Sequence, residues 1–252
     1  MTTVHQLYFL PWMGYFSKLA FSNNFVVLDD VDFRKRHFYD RVKIIDTSGN
    51  SRFVSLPTGQ NLGIKCNKIF IKDSNLTERR KILRTLKDSY SKALYYDKEW
   101  PALSLILEKA LMSSNELVKI NLGLIIDLLD YLDIDPPNIL LSSHLNLTHK
   151  NATEMLICIL KKLEDNELLL GDGKSTEIHD LEKIESNGIG VYLQEFKTTY
   201  PIYEQSRRRQ KGFKPFMSVV DCILNVGRGK TREFIHSVHF QPKRYYYNGN
   251  KY

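Results

Sequence analysis

The sequence has few of the residues that would hold a fold together covalently or bind a structural metal. Its three cysteines, Cys66, Cys158 and Cys222, stand far apart, and none has a second cysteine or a histidine at metal-ligand spacing. We therefore predict neither a disulfide framework nor a metal site, and we interpret the cysteines as reduced, mostly buried thiols.

Long apolar runs are also missing. The most apolar stretch, around Leu122–Leu132, is interrupted by Asp127 and Asp130 and is shorter than the roughly 20 residues that a membrane helix requires. Residues 1–20 lack the charged start, uniform apolar centre and small-residue cleavage site of a secretory signal. We therefore predict no membrane span and a cytoplasmic location.

Positive charge is in excess. The chain has 252 residues, of which 36 are lysine or arginine and 29 are aspartate or glutamate, so its formal net charge is +7. Such an excess favours an anionic partner, namely a nucleotide, a nucleic acid or an anionic membrane surface, and does not choose among them. The hydrophobic fraction of 42% is enough to bury a core, as one large domain or as two small ones.

Apolar periodicity in the first part of the chain predicts one helix and several strands. After Pro11, which suits a first helical turn, apolar residues recur at helical spacing on one face, namely Trp12, Tyr15, Phe16, Leu19 and Ala20. The stretch "FVVLDD" (25–30) is typical of a buried strand that ends in two carboxylates. The stretches "RVKII" and "RFVSL" flank Thr47–Asn50 as a predicted hairpin.

The rest of the chain alternates between helical and strand patterns. Helical periods occupy 77–94, 100–112 and 116–132. Beyond them, strand patterns alternate with helical ones, the strands at 138–142, 167–171 and 190–196 and the helices at 152–163 and 179–187. We therefore predict an α/β fold with a mixed, partly parallel sheet, flanking helices and a largely helical middle segment.

We interpret residues 1–252 as one domain. It can be subdivided into a strand-rich front end (1–75), a helical segment (76–135), an α/β segment (136–240) and a basic, tyrosine-rich tail (241–252). The sequence "DIDPPN" (133–138) marks either a domain boundary or a short proline turn inside one domain.

The opening stretch "HQLYFLPWMGYF" (5–16) combines a histidine with several aromatic side chains. We expect His5 to follow an edge or first strand, where its neutral imidazole could act as a general base or bond to a ligand. Tyr8 could stack on a sugar or a base. The alternative, which the octapeptide alone favours, is a histidine with satisfied bonds beside a core of aromatic rings.

Three carboxylates, Asp29, Asp30 and Asp32, directly precede a basic block that contains Arg36 and Arg41. Open α/β sheets usually place ligands at the carboxyl ends of their strands, and clustered arginines suit bidentate phosphate recognition. The block therefore predicts a nucleotide-binding edge. A solvated, charged turn with local ion pairs accounts for the same residues equally well.

The stretch "GDGKSTE" (171–177) follows a predicted strand. Its glycines permit close backbone approach, so Gly171 and Asp172 could cradle a phosphate or a sugar hydroxyl. The stretch does not match the phosphate-binding motifs of nucleotide-binding folds. A plain strand-to-helix turn is therefore the favoured interpretation.

The stretch from 200 to 230 combines a basic loop with an amphipathic helix. Ser218, Asp221 and Asn225 share the polar side of the predicted helix, so Asp221 projects from that helix. Gln205 and Arg207 belong to the preceding basic loop, in which Gly212 is a candidate hinge. Such a loop could close over an anionic donor, or it could be an exposed surface loop.

Four blocks of the sequence resemble the WbqC-like family of bacterial proteins, whose members are often encoded among O-antigen and other surface-polysaccharide genes. The matching blocks, in order, are "HQLYFLPWMGYF", "FVVLDDVDFRKR", "GNSRFVSLP" and "YEQSRRRQKGFKPFMSVVDCILNVG". The resemblance spans most of the chain. It departs from the family pattern at Leu7, Asp32 and Asp40, although Arg41 is kept in the segment that contains Asp40.

The resemblance implies an enzyme that makes unusual sugars for surface polysaccharides. It would transfer an acyl or aminoacyl group, such as glycyl, to the amine of a nucleotide-linked amino sugar. We predict His5, Asp30 and Asp221 as catalytic residues. The predicted substrate-binding residues are Gln6, Tyr8, Asp29, Arg36, Arg41, Gly171, Asp172, Gln205, Arg207 and Ser218.

A second hypothesis is a protein that binds or modifies nucleic acid. The basic blocks and the tail "KRYYYNGNKY" (243–252) mix cations with tyrosines that can stack on bases. A third is a non-catalytic partner in polysaccharide assembly. The sequence does not indicate the sugar, the donor or a cofactor.

Overall fold

A computed structural model describes residues 1–59, 63–72, 76–196, 199–237 and 240–245. The strands within these ranges are β1 (Thr2–Gln6), β2 (Asn24–Leu28), β3 (Arg41–Ile45), β4 (Ser51–Ser55), β5 (Asn138–Leu141), β6 (Glu167–Gly171), β7 (Gly190–Gln194) and β8 (Lys243–Arg244). The helices are α1 (Met13–Phe21), α2 (Thr77–Tyr90), α3 (Tyr96–Ser113), α4 (Leu117–Tyr131), α5 (Ala152–Lys162), α6 (Lys174–Ile178), α7 (Leu181–Ser186), α8 (Arg208–Lys211), α9 (Val219–Val226) and α10 (Arg228–Ile235).

Six of the described strands form one sheet in the order β5-β2-β1-β6-β7-β8. The first five are parallel to one another, and β8 pairs antiparallel with β7. Strands β3 and β4 form a separate antiparallel hairpin at the predicted place. Helices α2 to α4 fill the middle of the chain, so the predicted α/β fold with a partly parallel sheet and a helical middle segment is confirmed.

Strand β1 occupies the centre of this sheet. It pairs with β2 on one side and with β6 on the other, and His5 lies within it, opposite Val27 of β2. His5 was expected to follow an edge or first strand; β1 is the first strand of the chain, but it is a central strand and His5 lies within it. The two polar residues at the start of β1 tolerate burial because each is bonded: Thr2 donates to Asp165 at 2.6 Å, and Thr3 accepts from Ser22 at 2.7 Å.

Helices cover both faces of the sheet, because alternate strand residues point to opposite sides. In β2, Phe25 and Val27 join the core that includes α1, α9 and the middle helices. The residue between them, Val26, joins a second core formed with α5 and α7. The free thiols of Cys66 and Cys222 are buried, and Cys158 is partly exposed.

The turn at 133–137 joins α4 to β5, and β5 pairs with β2. Segments before and after this turn therefore contribute strands to the same sheet. At the other end, β8 and Tyr245 continue the sheet, whereas residues 246–252 of the predicted tail lie outside the described residues. Within the described ranges, no helix has the length and apolarity needed to cross a bilayer.

The amino-terminal loop, the hairpin and α9 are joined at Ser218. Its amide donates to the carbonyl of Lys43 at 2.9 Å, and its hydroxyl donates to the carbonyl of Leu10 at 2.9 Å. The next amide, of Val219, donates to the carbonyl of Pro11. Ser218 also caps α9 by accepting from the amide of Val220. The first and last matching blocks of the sequence therefore meet through backbone groups.

We predict that Ser218→Ala lowers the free energy of unfolding by about 1 to 3 kcal/mol, because it removes a helix cap and leaves the buried carbonyl of Leu10 without its donor. Urea denaturation measures the change. The control is Ser186→Ala, which removes an exposed hydroxyl bonded to Lys183. Equal stability of the two variants would contradict this role for Ser218.

Candidate functional site

The chain reverses its direction of travel across the sheet between β1 and β6. From β1 it passes through α1 to β2 on one side, and from β6 it passes through α6 and α7 to β7 on the other. Such a reversal opens a crevice outside the carboxyl ends of the two strands, where open α/β sheets bind ligands. The ladder between β1 and β6 joins Thr2 to Leu168 and Thr3 to Leu169 and ends before their carboxyl halves.

We call this place the switch-point crevice and define it by His5 and Gln6 of β1 and by Gly171 and Asp172 at the end of β6. All four residues were predicted from the sequence as catalytic or substrate-binding. The structure brings them together because parallel strands end at the same edge of a sheet.

His5 is a neutral imidazole with one free acceptor. Its Nδ1 lies 2.8 Å from the carbonyl oxygen of Gln6, and a carbonyl only accepts, so Nδ1 carries the proton and Nε2 the lone pair. The rings of Tyr8 and Tyr15 stand edge-on, with centroids 4.8 and 4.9 Å away. Burial, and then the positive charge of Lys18, lower the pKa of His5 to about 3. His5 is thus suited to accept a hydrogen bond and is a weak base.

Lys18 of α1 was not predicted as a site residue, yet it reaches the crevice. Its side chain is 5% exposed, and side chains of a helix lean toward the amino end, which here starts beside β1. The amine lies 5.4 Å from the centroid of the Phe196 ring. Burial lowers the pKa of Lys18 to about 8, although the nearby carboxylate of Asp172 raises it.

Gly171 leaves the space that the Lys18 amine occupies. A Cβ atom at this position would lie 2.6 Å from Cε2 of Phe196 and 3.3 Å from Nζ of Lys18. Asp172 fixes the same neighbourhood, because its Oδ1 accepts from the amide of Phe196 at 3.2 Å. The short helix α6 follows this turn, so "GDGKSTE" forms a strand-to-helix turn beside the crevice.

A basic loop folds over the crevice from the end of β2. Tyr8 contacts the rings of His37 and Phe38, and the amide of Phe9 donates to the carbonyl of Phe38 at 2.8 Å. Burial lowers the pKa of His37, and three nearby cations, Arg34, Lys174 and Arg41, lower it further. The surroundings of Tyr8 are therefore strongly positive.

Arg36 and Arg41 line a cavity of about 320 Å³ next to this loop, together with Lys35, Asp40 and the segment from Ser55 to Gly59. The guanidinium of Arg41 lies 3.9 Å from the centroid of the Phe53 ring. Its Nε is buried and has no hydrogen-bond partner among the described residues. The cavity therefore offers cationic donors to an anion.

Asp29 connects the ends of neighbouring strands. Its carboxylate accepts from the amide of Ser143 at 3.0 Å and from the side chains of Ser143, Ser142 and Asn67. Burial alone would raise the pKa of Asp29, but these hydrogen bonds outweigh it and hold the pKa below its usual value. The exposed Asp30 accepts from the hydroxyl of Ser142.

Asp221 lies in a separate, buried network. Its side chain has no exposed surface, and its Oδ2 accepts from the hydroxyl of Tyr203 at 2.5 Å and from Gln205 Nε2 at 2.8 Å. Asn225 donates to Oδ1 at 3.3 Å. Burial raises the pKa of Asp221 to about 6, although hydrogen bonds from Tyr203, Gln205 and Tyr90 lower it.

This network ties down both ends of the basic loop 206–213. Gln205 exchanges two hydrogen bonds with the backbone of Lys214, at 2.8 and 2.9 Å. Asn225 Oδ1 accepts from the amide and the hydroxyl of Ser206. Within the loop, Arg207 lines a cavity of about 700 Å³ whose other lining residues include Asp46, Asp88, Lys92, Arg209 and Gln210.

The structure therefore divides the predicted site residues into three groups. One is the switch-point crevice, with Tyr8 beside it. Another is the end of β2 and its basic loop, which hold Asp29, Asp30, Arg36 and Arg41. The last is the network of Asp221 with Gln205, above which Arg207 lies, and Ser218 caps the same helix.

The three residues predicted as catalytic, His5, Asp30 and Asp221, do not contact one another in the described structure. Asp30 is bonded to Ser142, and Asp221 is enclosed by Tyr203 and Gln205. Groups of three or more histidine, cysteine or carboxylate side chains that would suit a metal ion are absent from the described residues.

Lys18→Met is expected to raise the free energy of unfolding by about 3 kcal/mol at pH 7, because a buried lysine whose pKa falls from 10.5 to about 8 destabilises the folded protonated chain. The unfolded chain keeps the proton up to pH 10.5. The gain is thus complete below pH 8 and disappears as the pH rises toward 10.5. Denaturation at several pH values, with exposed Lys119→Met as control, measures it; a gain that does not change with pH would contradict the burial of a titrating amine.

Tyr203 and Gln205 both donate to one carboxylate oxygen of Asp221. Asp221→Asn removes the charge that strengthens these bonds, so we expect the ends of loop 206–213 to open more easily. We predict faster tryptic cleavage after Arg207 and Arg209, by about tenfold if opening becomes easier by 1 to 2 kcal/mol. The control is Asp127→Asn, at an exposed ion pair with Lys109. Unchanged cleavage would show that the network does not hold the loop.

Comparison with known proteins gives the same answer as the four blocks. A model of the WbqC-like protein family matches residues 6–233. An uncharacterized protein of Mycobacterium tuberculosis is 25% identical over 222 residues, which cover 87% of this chain and 90% of that protein. No solved structure matches the chain. Because the family match spans most of the sequence, including Gln6, Gly171 and Asp172 of the crevice and the Asp221 network, the chain belongs to the WbqC-like protein family.

Proposed function

We propose that this protein is a transferase of surface-polysaccharide sugar biosynthesis that moves an acyl or aminoacyl group onto the amine of a nucleotide-linked amino sugar. One observation carries the proposal. A neutral histidine and a buried lysine of lowered pKa meet at the topological switch point of the sheet, under a loop rich in arginine. Membership of the WbqC-like family supports it.

The crevice has the groups that a sugar acceptor needs. Tyr8 presents a partly exposed ring against which the apolar face of a sugar packs. The free Nε2 of His5 accepts a hydrogen bond from a sugar hydroxyl or amine. Gln6, also partly exposed at the end of β1, has a side-chain amide that can donate and accept.

The diphosphate of the nucleotide lies toward the basic loop in this proposal. Arg36 and Arg41 line a cavity there, and the unpartnered Nε of Arg41 is a donor that a phosphate oxygen would satisfy. Lys174 and Arg34 add positive charge nearby, as their effect on the pKa of His37 shows. The sugar and the phosphates would thus bind on the two sides of Tyr8.

Asp221 acts in this proposal as a positioning residue. Its carboxylate does not reach the surface, and it orders Gln205 and thereby the ends of the loop that carries Arg207. Asp29 has a comparable part at the start of the basic loop, since its hydrogen bonds hold the turn after β5 against the end of β2.

We predict that the double variant Arg36→Ala, Arg41→Ala weakens binding of uridine or thymidine diphosphate at least tenfold, because it removes two cationic donors from the phosphate cavity. Isothermal titration calorimetry measures the affinity. The control is Lys119→Ala on α4, which removes a positive charge outside the cavity. Failure of the folded wild-type chain to bind either nucleotide, or equal binding by the double variant, would contradict this phosphate site. Binding of DNA or RNA that weakens steeply with salt would instead favour nucleic acid as the partner.

His5→Ala is expected to lower kcat/KM for acyl transfer to uridine-diphosphate glucosamine about 100-fold, because the sugar loses a bond that orients its amine. Uridine-diphosphate glucose, in which a hydroxyl replaces the amine, serves as the control acceptor. The product is followed by its mass increase. Full activity of His5→Ala would remove His5 from the site.

A further inference from the structure

Lys18 is a buried amine without a bonded partner. Its Nζ makes no hydrogen bond and no ion pair with another described residue, since Asp172 acts on it only from a longer distance. Lysine is almost never fully buried unless it is paired, because removal of the charged form from water is costly. A structural role alone would be met better by methionine, which fills similar space without that cost.

The amine of Lys18 borders the crevice. It stands beside the backbone of Gly171 at the end of β6 and beside the ring of Phe196. The titratable groups that interact with it are His5 from β1 and Asp172 after β6. Of these, only Asp172 carries negative charge, and one of its oxygens accepts from the amide of Phe196.

We propose that Lys18 is the base of the switch-point crevice and takes the proton from the ammonium group of the acceptor that binds beside Gly171. This inference rests on the function proposed above. It makes Lys18 a catalytic residue, whereas Asp172 is a positioning residue that tunes the amine.

The proton and bond changes balance without a further reactant beyond an activated ester or thioester of the acyl or aminoacyl group. The neutral amine of Lys18 accepts one proton from the sugar ammonium. The sugar nitrogen then attacks the acyl carbon, so that a C–N bond forms and the bond to the alcohol or thiol of the donor breaks. The second nitrogen proton leaves with that alcohol or thiol, and Lys18 releases its proton to water.

The burial of Lys18 favours its role as a general base, because it lowers the pKa of the amine. A pKa of about 8 leaves roughly a tenth of the amine neutral at pH 7, against fewer than one in a thousand for a lysine with the ordinary pKa of 10.5. A general base works best when its pKa lies near the operating pH. Neutral His5 next to it adds no second positive charge to the crevice.

The first test needs no substrate. The folded chain is pulse-labelled with acetic anhydride from pH 6 to 10, and the labelling of each lysine is measured by mass spectrometry. We expect the labelling rate of Lys18 to rise with a midpoint near pH 8 and to level off above it, with exposed Lys119 as the internal control for reagent access. Asp172→Asn should lower the Lys18 midpoint further, because the carboxylate raises it. No labelling of Lys18, or a Lys18 rate that still rises tenfold per pH unit at pH 10, overturns the proposal.

The second test uses turnover of uridine-diphosphate glucosamine with an activated acyl thioester. The wild-type kcat/KM should rise with pH through the midpoint found for Lys18 by labelling. Lys18→Arg keeps the positive charge but has no titrating amine in this range, so it should lose both that rise and at least 100-fold in rate, as should Lys18→Met. Full rescue by arginine would show that Lys18 only supplies charge.

The two tests separate the proposals. A Lys18 that labels with a midpoint near 8 in a chain that transfers no acyl group to any amine acceptor contradicts the proposed function. Turnover that is unaffected by Lys18→Met contradicts the role of Lys18 and leaves the transferase standing.

Discussion

The site depends on the central place of β1, which pairs in parallel with a strand on each side. This arrangement sends the chain away in opposite directions after β1 and after β6, and the crevice lies between them. Two carboxylates hold the ends of the neighbouring strands in register with it. Asp29 binds the amide of Ser143 after β5, and Asp172 binds the amide of Phe196 after β7. The crevice is thus set on rigid elements.

The electrostatics of the crevice follow from its burial. Lys18, Lys174 and the arginines of the loop bring positive charge together, and the low polarity around them keeps His5 neutral. Such a collection of cations is unfavourable in the empty protein and favourable once an anion is bound. The Asp221 network has a different role. Its hydrogen bonds fix both ends of the loop that carries Arg207, which lies in the last matching block of the sequence.

Local features could be predicted from the sequence because periodicity and turn chemistry are local properties. The helix after Pro11, the strand at 25–30 and the hairpin around Thr47–Asn50 are confirmed. Gly171 was predicted because it stands at the end of a strand that the pattern indicates, whereas the central place of β1, which holds His5, was not predicted.

The order of the strands and the burial of particular polar side chains could not be predicted, because both depend on residues far away in the sequence. Lys18 falls on the polar side of α1 by periodicity, but the ring of Phe196, almost 180 residues later, packs against its amine. Asp221 falls on a polar helix face in the same way, and Tyr203 and Gln205 fold back over it. A signal for Lys18 existed: α1 is nearly surrounded by apolar residues, so its one charged side chain had little access to water.

The most direct test of the central claim is a crystal structure of the protein with uridine-diphosphate glucosamine bound. We expect the sugar between Gln6 and Gly171, with its amine toward Lys18 and its diphosphate toward Arg36 and Arg41. A sugar bound instead in the cavity beside Arg207, with His5 and Lys18 untouched, would contradict it.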